Sequence, residues 1–489
     1  MRIDGESKLI RRYSNMLYEA NQYIKANKDK VNSQYRLNYH LMGQCGWIND
    51  PNGFIHYKDK YHLFYQHNPY DAVPGLMYWG HAVSDDLIKW NYLPIALAPD
   101  KPYDKDGCFS GSSIEANGRL YLMYTGHVVD GGDQRETQCL AYSDDAINFA
   151  KYKGNPVISI EQIPNEASKK DFRDPRVFKR NGKYYVVIGS NDGKGKGQVL
   201  IYTSLDMLHW VFLRAVGAEK NMGNNCECPD MFRLQDRDVL IVSLQYLNEE
   251  KPYNSSVYAI GHFDESVGDF IFDRCFPLDY GFDFYAPQTT EDVSSRRIIV
   301  AWMNEWGSEN PTYSLGHNWA GAMTLPREVL LKDGMLCFKP VDEIKTYRRN
   351  EFSMENIEFE GERNLDAYGD SYEIEASFDA RSATEFGLKL RTGYGEETVL
   401  SYNRAKKIFS FDRNKSGIGP KGEKHTEVEL DDNVLTIRAF VDKCSVEVFI
   451  NDGRKVMTGR IYPSKDSKGI RIFSRGACKL LSLKKWDIA

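Results

Sequence analysis

From about Tyr35 to Pro340 the chain is written in apolar runs of strand length, set between turn residues rich in Gly, Asn and Asp. This text recurs five times, each time as polar opening, apolar strand, turn and second strand. The copies are NDPNGFIHYKDKYHLFYQ from Asn49, FSGSSIEANGRLYLMYTG from Phe109, FRDPRVFKRNGKYYVVIGS from Phe172, ECPDMFRLQDRDVLIVSLQ from Glu227 and YAPQTTEDVSSRRIIVAWM from Tyr285. Their openings, Asp50, Ser110, Asp174, Glu227 and Tyr285, fall 53 to 64 residues apart. One small sheet repeated at such a period predicts a β-propeller, whose equivalent openings meet at one end of the central axis. Asp50, Asp174 and Glu227 are then expected to face one another although 177 residues separate the first from the last.

A second echo accompanies the first. WGHAVSDDLIKW (79–90), CLAYSDDAINF (139–149) and VLIYTSLDMLHW (199–210) share a strand, a Ser with Asp two residues on, and an aromatic six residues after the Ser. The Asp is expected to close a tight turn on its own backbone at a blade corner. Upstream, residues 8–29 space their apolar positions as an amphipathic helix lying on the outside of the main domain. Downstream of about Glu351, SYEIEASFDA, FGLKLRTG and NVLTIRAFVDKCSVEVFINDG alternate with period two between Gly and Asp-Gly turns, as in an antiparallel sandwich. The expected organisation is all-β. A helical extension covers 1–34, a five-bladed propeller 35–340, a connector 341–355 and a β-sandwich 356–489.

Composition narrows the function classes. With 63 basic against 69 acidic residues and no basic stripe or tail, neither nucleic acid nor an anionic membrane is an expected partner. No run of 18 apolar residues predicts a membrane span, and MRIDGESKLIRR lacks the apolar core of a secretory signal. Nine cysteines without a paired framework read as buried thiols in a reducing compartment, so the cytoplasm is the expected location. No HExxH occurs and the ten His are dispersed, so no metal and no cofactor are expected.

The chemistry sits in the carboxylates. Two carboxyl groups suffice to break a glycosidic bond: one protonates the leaving oxygen, the other attacks the anomeric carbon or activates water. Asp50 lies in a Pro- and Gly-bent entry to a strand. Asp174 follows Arg173, whose guanidinium is expected to keep it ionised. Glu227 lies between Cys226 and Cys228, and crowding by the other two acids is expected to raise its pKa.

WINDPNG (47–53), YHLFYQHNP (61–69), WGHAVSDDLIKW (79–90), FSGS (109–112), FRDP (172–175), ECPD (227–230) and LPRE (325–328), in this order, resemble glycoside hydrolase family 32, the invertases, sucrose-6-phosphate hydrolases and fructanases. The resemblance extends through RAFVDKCSVEVFINDG (438–453). It implies a five-bladed propeller with a β-sandwich and a retaining double displacement. By motif, it implies Asp50 as nucleophile, Glu227 as general acid and base, and Asp174, helped by Arg173, as the group gripping fructose hydroxyls. It further implies that Asn49, Gln66, Phe109 and Ser110 line the fructose pocket, with Trp47 and Ile48 of the first motif and Tyr285 and Trp302 of the fifth repeat as additional substrate-binding positions. Relatives carry a further Trp eight residues after the Gln. Here that position is Pro74, which either widens the pocket or leaves the aromatic wall to Tyr78 or Trp79.

The expected activity is that of a β-fructofuranosidase on sucrose, sucrose-6-phosphate or short β-fructosides, its partner a small sugar. Fructosyl transfer, exo-fructanase action and a non-catalytic sugar-binding propeller are the competing readings, and self-association into a homo-oligomer is left open. The glycine-rich Gly193–Gly197 segment is expected to be a hairpin tip, with Lys194 or Lys196 the alternative seat for a substrate phosphate.

Overall fold

The computed structural model describes residues 15–489. Among them, five antiparallel sheets of four consecutive strands follow one another, and the first strand of each lies innermost. These inner strands are β1 (Gly46–Tyr57), β2 (Gly107–Ala116), β3 (Phe172–Arg180), β4 (Asn225–Leu234) and β5 (Tyr285–Glu291). Each packs against the next, and β5 returns to β1, which closes the ring of a five-bladed propeller. The short segment Trp319–Ala320 leaves the fifth sheet to pair in parallel with Gly46 and Trp47, tying the last blade to the first. The second strand of a blade is far more buried than the outermost one. Lys183–Asn191 is buried from its second residue to its last, whereas the outermost Val211–Val216 buries only Val216 fully. That contrast explains why the second strand of a blade reads as a continuous apolar run and the outermost does not.

All five inner strands are irregular at the same level. The ladder slips between Ile48 and Pro51, Phe109 and Gly111, Arg173 and Arg176, Glu227 and Asp230, and Tyr285 and Gln288. The sequence dictates the slips. Pro51, Pro175, Pro229 and Pro287 cannot donate to a ladder, and Gly111 has Met123 and Tyr124 backbone where a Cβ would stand. Asp174, Cys228 and Ala286 take positive φ of 64°, 46° and 50° there, a strained region for L-residues. Asp50, Ser110 and Asp174 sit inside the bulges, but Glu227 and Tyr285 are the last paired residues before them. The structural counterparts of Asp174 in the fourth and fifth blades are therefore Cys228 and Ala286, one residue after the positions aligned from the repeats.

The Ser-x-Asp echo builds three equivalent corners. Asp86, Asp145 and Asp206 each accept bonds from two backbone N–H groups just downstream and one from the Ser two residues before. Leu87, Ala146 and Met207 turn each corner with positive φ. The helix α1 (Met16–Asn27) lies along the first blade, packing Met16, Leu17, Ala20 and Ile24 on Tyr78, Ile95 and Ala98. Residues 8–14 of the expected helix lie outside the described residues.

The expected connector is shorter than 341–355. A 3-10 turn spans Asp342–Tyr347, and the second domain's strand Arg348–Tyr368 begins at once, because 348–355 already pairs with 482–488. That domain is a nearly closed β-sandwich whose alternate residues form one apolar core, including Tyr372, Phe386, Phe409 and Val446. Gly469–Ile488 is its hub, pairing with Arg348–Tyr368, Ser371–Asp379 and Glu385–Thr392.

The two domains share a buried polar seam. Arg327, at the start of the fifth blade's third strand, pairs with Asp279 at 3.0 Å and Glu447 at 2.5 Å, and His40 bridges Asp442 at 2.8 Å and Glu447 at 2.9 Å. Burial opposes a charge on His40, but its two carboxylate partners outweigh it and hold its pKa up at about 9.

Candidate active site

At the end of the axis where the five bulges meet, a pocket of about 200 Å³ opens to solvent. Its closed end is lined by Asn49, Asp50, Gln66, Ser110, Asp174 and Glu227, its mouth by Pro74, Gly75 and Trp306. A cavity of equal volume at the domain boundary, beside Phe338, Arg438 and Phe449, contains none of these acids.

Each acid is held differently. Asp50 is buried and accepts hydrogen bonds from Ser110 Oγ at 2.7 Å and Asn49 Nδ2 at 3.0 Å. Burial raises its pKa, these two bonds pull it back, and the charge of Glu227 adds to the rise. Asp174 accepts from the backbone N–H of Cys228 at 3.0 Å. The Cys228 thiol lies between the two aspartates, 3.6 Å from Asp50 and 3.5 Å from Asp174. One sulfur atom in reach of both places the two carboxylates side by side.

Arg173 corrects the expectation for Asp174. Its guanidinium turns away from its neighbour in sequence and bonds Glu136 at 3.1 Å, Asp171 at 2.8 Å and Glu227 at 3.1 Å. Consecutive residues at a bulge point apart, so adjacency in sequence does not become a contact. Burial pushes the Asp174 pKa up to about 8; Arg173 opposes this at a distance, and Glu227 and Asp50 add to it. The surroundings of Glu227 are also more polar than its flanking Cys226 and Cys228 suggest. One oxygen takes the Arg173 fork and the other accepts from the Tyr285 hydroxyl at 2.7 Å.

The remaining sequence candidates divide into lining and support. Asn49, Gln66, Phe109, Ser110 and Arg173 line the pocket. Trp47 supports Asn49 by donating Nε1 to its Oδ1 at 2.8 Å, and Gln66 is fixed by donating to Cys108 O at 2.9 Å. Trp79 and Tyr78 do not supply the wall: both are fully buried, and Trp79 lies behind Phe109, donating to its carbonyl at 3.1 Å. Ile48 points into the propeller core with Phe54 and Val300. Tyr285 reaches Glu227, while Trp302 is buried beneath Trp306 with ring centroids 5.0 Å apart. Lys194 and Lys196 are not among the lining residues.

Sequence reasoning missed Glu136, Cys228 and Trp306. Glu136 orients Arg173 and also accepts from the Phe172 N–H at 2.9 Å. Its signal was an acid inside the strand text RETQCLAYS, where a buried charge needs a buried partner. The signal for Trp306 was an aromatic beside Gly307, just past a strand end.

Comparison with known proteins adds three findings. Residues 40–340 match the Glycosyl hydrolases family 32 N-terminal domain, and residues 343–487 match the Glycosyl hydrolases family 32 C terminal. A sucrose-6-phosphate hydrolase of Zymomonas mobilis is 37% identical over 97% of this chain and 96% of its own, and a raffinose invertase of Escherichia coli is 38% identical over 92% and 94%. The structure of a Bombyx mori GH32 beta-fructofuranosidase superimposes with a TM-score of 0.84 at 32% identity, covering 96% of this chain and 97% of that one.

Proposed function

This chain belongs to glycoside hydrolase family 32, and on that premise we propose that it is a retaining β-fructofuranosidase cleaving sucrose, sucrose-6-phosphate or both. The observation that carries the reading is the closed pocket end, where three acids from three blades surround room for one terminal sugar ring.

The chemistry follows from the positions of the acids. A carboxylate of Asp50, poor in water contact and therefore reactive, attacks the anomeric carbon of the fructosyl unit. Glu227 gives its proton to the departing glycosidic oxygen, and the bond from that oxygen to the fructosyl carbon breaks. The product is a fructosyl ester on Asp50. Glu227, now a carboxylate, takes a proton from water, which attacks the same carbon and releases fructose with configuration retained. Asp174 accepts hydrogen bonds from fructose hydroxyls as positive charge builds on the ring. Tyr285 and Arg173 keep the Glu227 carboxyl aimed across the pocket.

Nine unpaired thiols, eight of them buried, support the cytoplasmic setting we propose. The deciding experiment follows sucrose hydrolysis by NMR at early times. β-Fructofuranose as the first-formed anomer supports the double displacement; the α-anomer first overturns it. Comparing kcat/KM for sucrose, sucrose-6-phosphate and inulin in parallel then identifies the substrate.

A further inference from the structure

We propose that Trp306 is the specificity-determining residue for the leaving-group sugar, and that Arg460 of the sandwich domain positions it. The proposal rests on the reading that a terminal fructosyl unit occupies the closed end of the pocket. With the three acids at that end, the bond to be broken lies above them and the leaving sugar must sit at the mouth. Pro74 and Gly75, which present little surface, line that mouth together with Trp306, which is 36% exposed. The Trp306 ring is backed by a fixed layer. It stacks on Trp47 at 6.4 Å with planes 25° apart and rests on Trp302 at 5.0 Å. Both supporting rings are buried, so the exposed face of Trp306 is held toward the opening rather than free to turn. A flat apolar ring of this kind suits the C–H face of a pyranose, which buries carbon surface while its hydroxyls stay in water.

The loop carrying Trp306 is anchored from the other domain. Arg460 Nη2 donates to Ser308 Oγ at 2.8 Å and Nη1 to Asn310 Oδ1 at 3.0 Å, two and four residues beyond the Trp. Asn304, two residues before it, donates to the same Asn310 oxygen at 3.0 Å. Arg460 is itself locked, its Nε donating to Asp283 at 3.0 Å, and Asp283 also accepts from Arg413 at 2.6 Å. Burial alone would disfavour the Arg460 charge, but Asp283 more than offsets it. The sandwich thus reaches the pocket through one guanidinium and the seven-residue span 304–310, without lining the pocket itself.

The test compares two substrates of wild-type enzyme and variants. Sucrose carries a pyranose leaving group; methyl β-D-fructofuranoside does not. Trp306→Ala is expected to raise KM for sucrose about tenfold, the factor one lost aromatic contact corresponds to, with kcat changed less than about twofold and methyl fructoside kinetics unaltered. Ser308→Ala is expected to shift KM for sucrose the same way by a smaller factor, and to add nothing in the Trp306→Ala background. Arg460→Gln tests the same anchor, and Ser308→Ala stands in where that variant does not fold. Equal losses on both substrates, or unchanged sucrose KM in Trp306→Ala, would overturn the specificity role. An undiminished Ser308→Ala effect without the Trp would overturn the positioning route. A wild-type enzyme that releases fructose from neither substrate would instead remove the functional reading beneath both.

Discussion

Arg173 holds one oxygen of Glu227 with two hydrogen bonds, from Nε at 3.2 Å and Nη2 at 3.1 Å. The fork joins adjacent blades and, with the Tyr285 hydroxyl on the other oxygen, fixes the plane of the carboxyl group. Lysine at this position keeps the charge but not the planar fork. Arg173→Lys is therefore expected to lower kcat for sucrose roughly 10–100-fold, the factor for one charge-assisted bond of about 1.5–3 kcal/mol. Steady-state kinetics at saturating sucrose measure it.

Glu227→Gln keeps the shape and loses the transferable proton. Its expected loss on sucrose is about 10²–10⁴ in kcat. Fructosyl fluoride, whose leaving group needs no proton, should suffer far less in the bond-breaking step and leave a covalent adduct on Asp50 visible by mass spectrometry. Equal losses on both substrates would remove Glu227 from the acid role.

Asp174 trades stability for chemistry. In the fold its carboxyl keeps a proton up to about pH 8, against 3.8 for the ordinary group. The folded state therefore binds the extra proton between those values, and stability falls as pH rises through that window, with the full cost present above about pH 8. Asp174→Asn removes that cost. The variant should melt about 2 °C or more above wild type at pH 8.5 and level with it near pH 4, while its turnover of sucrose drops by roughly 10²–10³. Thermal scans across that range decide the matter.

His40 gives a slope of the same sign at the domain seam, over a higher pH window. Its folded pKa of about 9 lies above the ordinary 6.5, so its contribution is complete below 6.5 and is lost as pH rises through 9. The integrated effect is on the order of 3 kcal/mol. Denaturant midpoints should fall between pH 6 and pH 9.5, and His40→Gln should flatten that fall while lowering stability at pH 6.

The propeller was legible because its repeats are long, regular and closed by turn residues whose physics is local. The acids were legible for the same reason, since the inner-strand openings converge on one axis. Finer geometry was not. The repeats aligned Glu227 with Asp174, whereas the bulges put Cys228 there, and only pairing registers reveal a one-residue offset. Arg173 looked like a partner for its neighbour Asp174 and proved to be one for Glu136, Asp171 and Glu227, the first and last of which lie 37 and 54 residues away. Such contacts depend on which way a bulge turns a side chain. Trp79 carries an aromatic motif of the right type at the right place in the chain, yet its ring faces the core between blades. Trp306 escaped notice because its loop takes its shape from Arg460, a residue 154 positions downstream.

The placement of Gly469–Ile488 at the centre of the second domain's sheet sets a temporal order on biosynthesis. A ribosome finishes this segment only after all three of its neighbours have emerged, so those neighbours wait with unpaired edges while translation proceeds. The propeller faces less delay, because each blade forms from its own successive strands and the described strand that returns late to the first blade is the short Trp319–Ala320. A nascent chain stalled before residue 469 would carry a nearly finished ring beside an open, adhesive sheet.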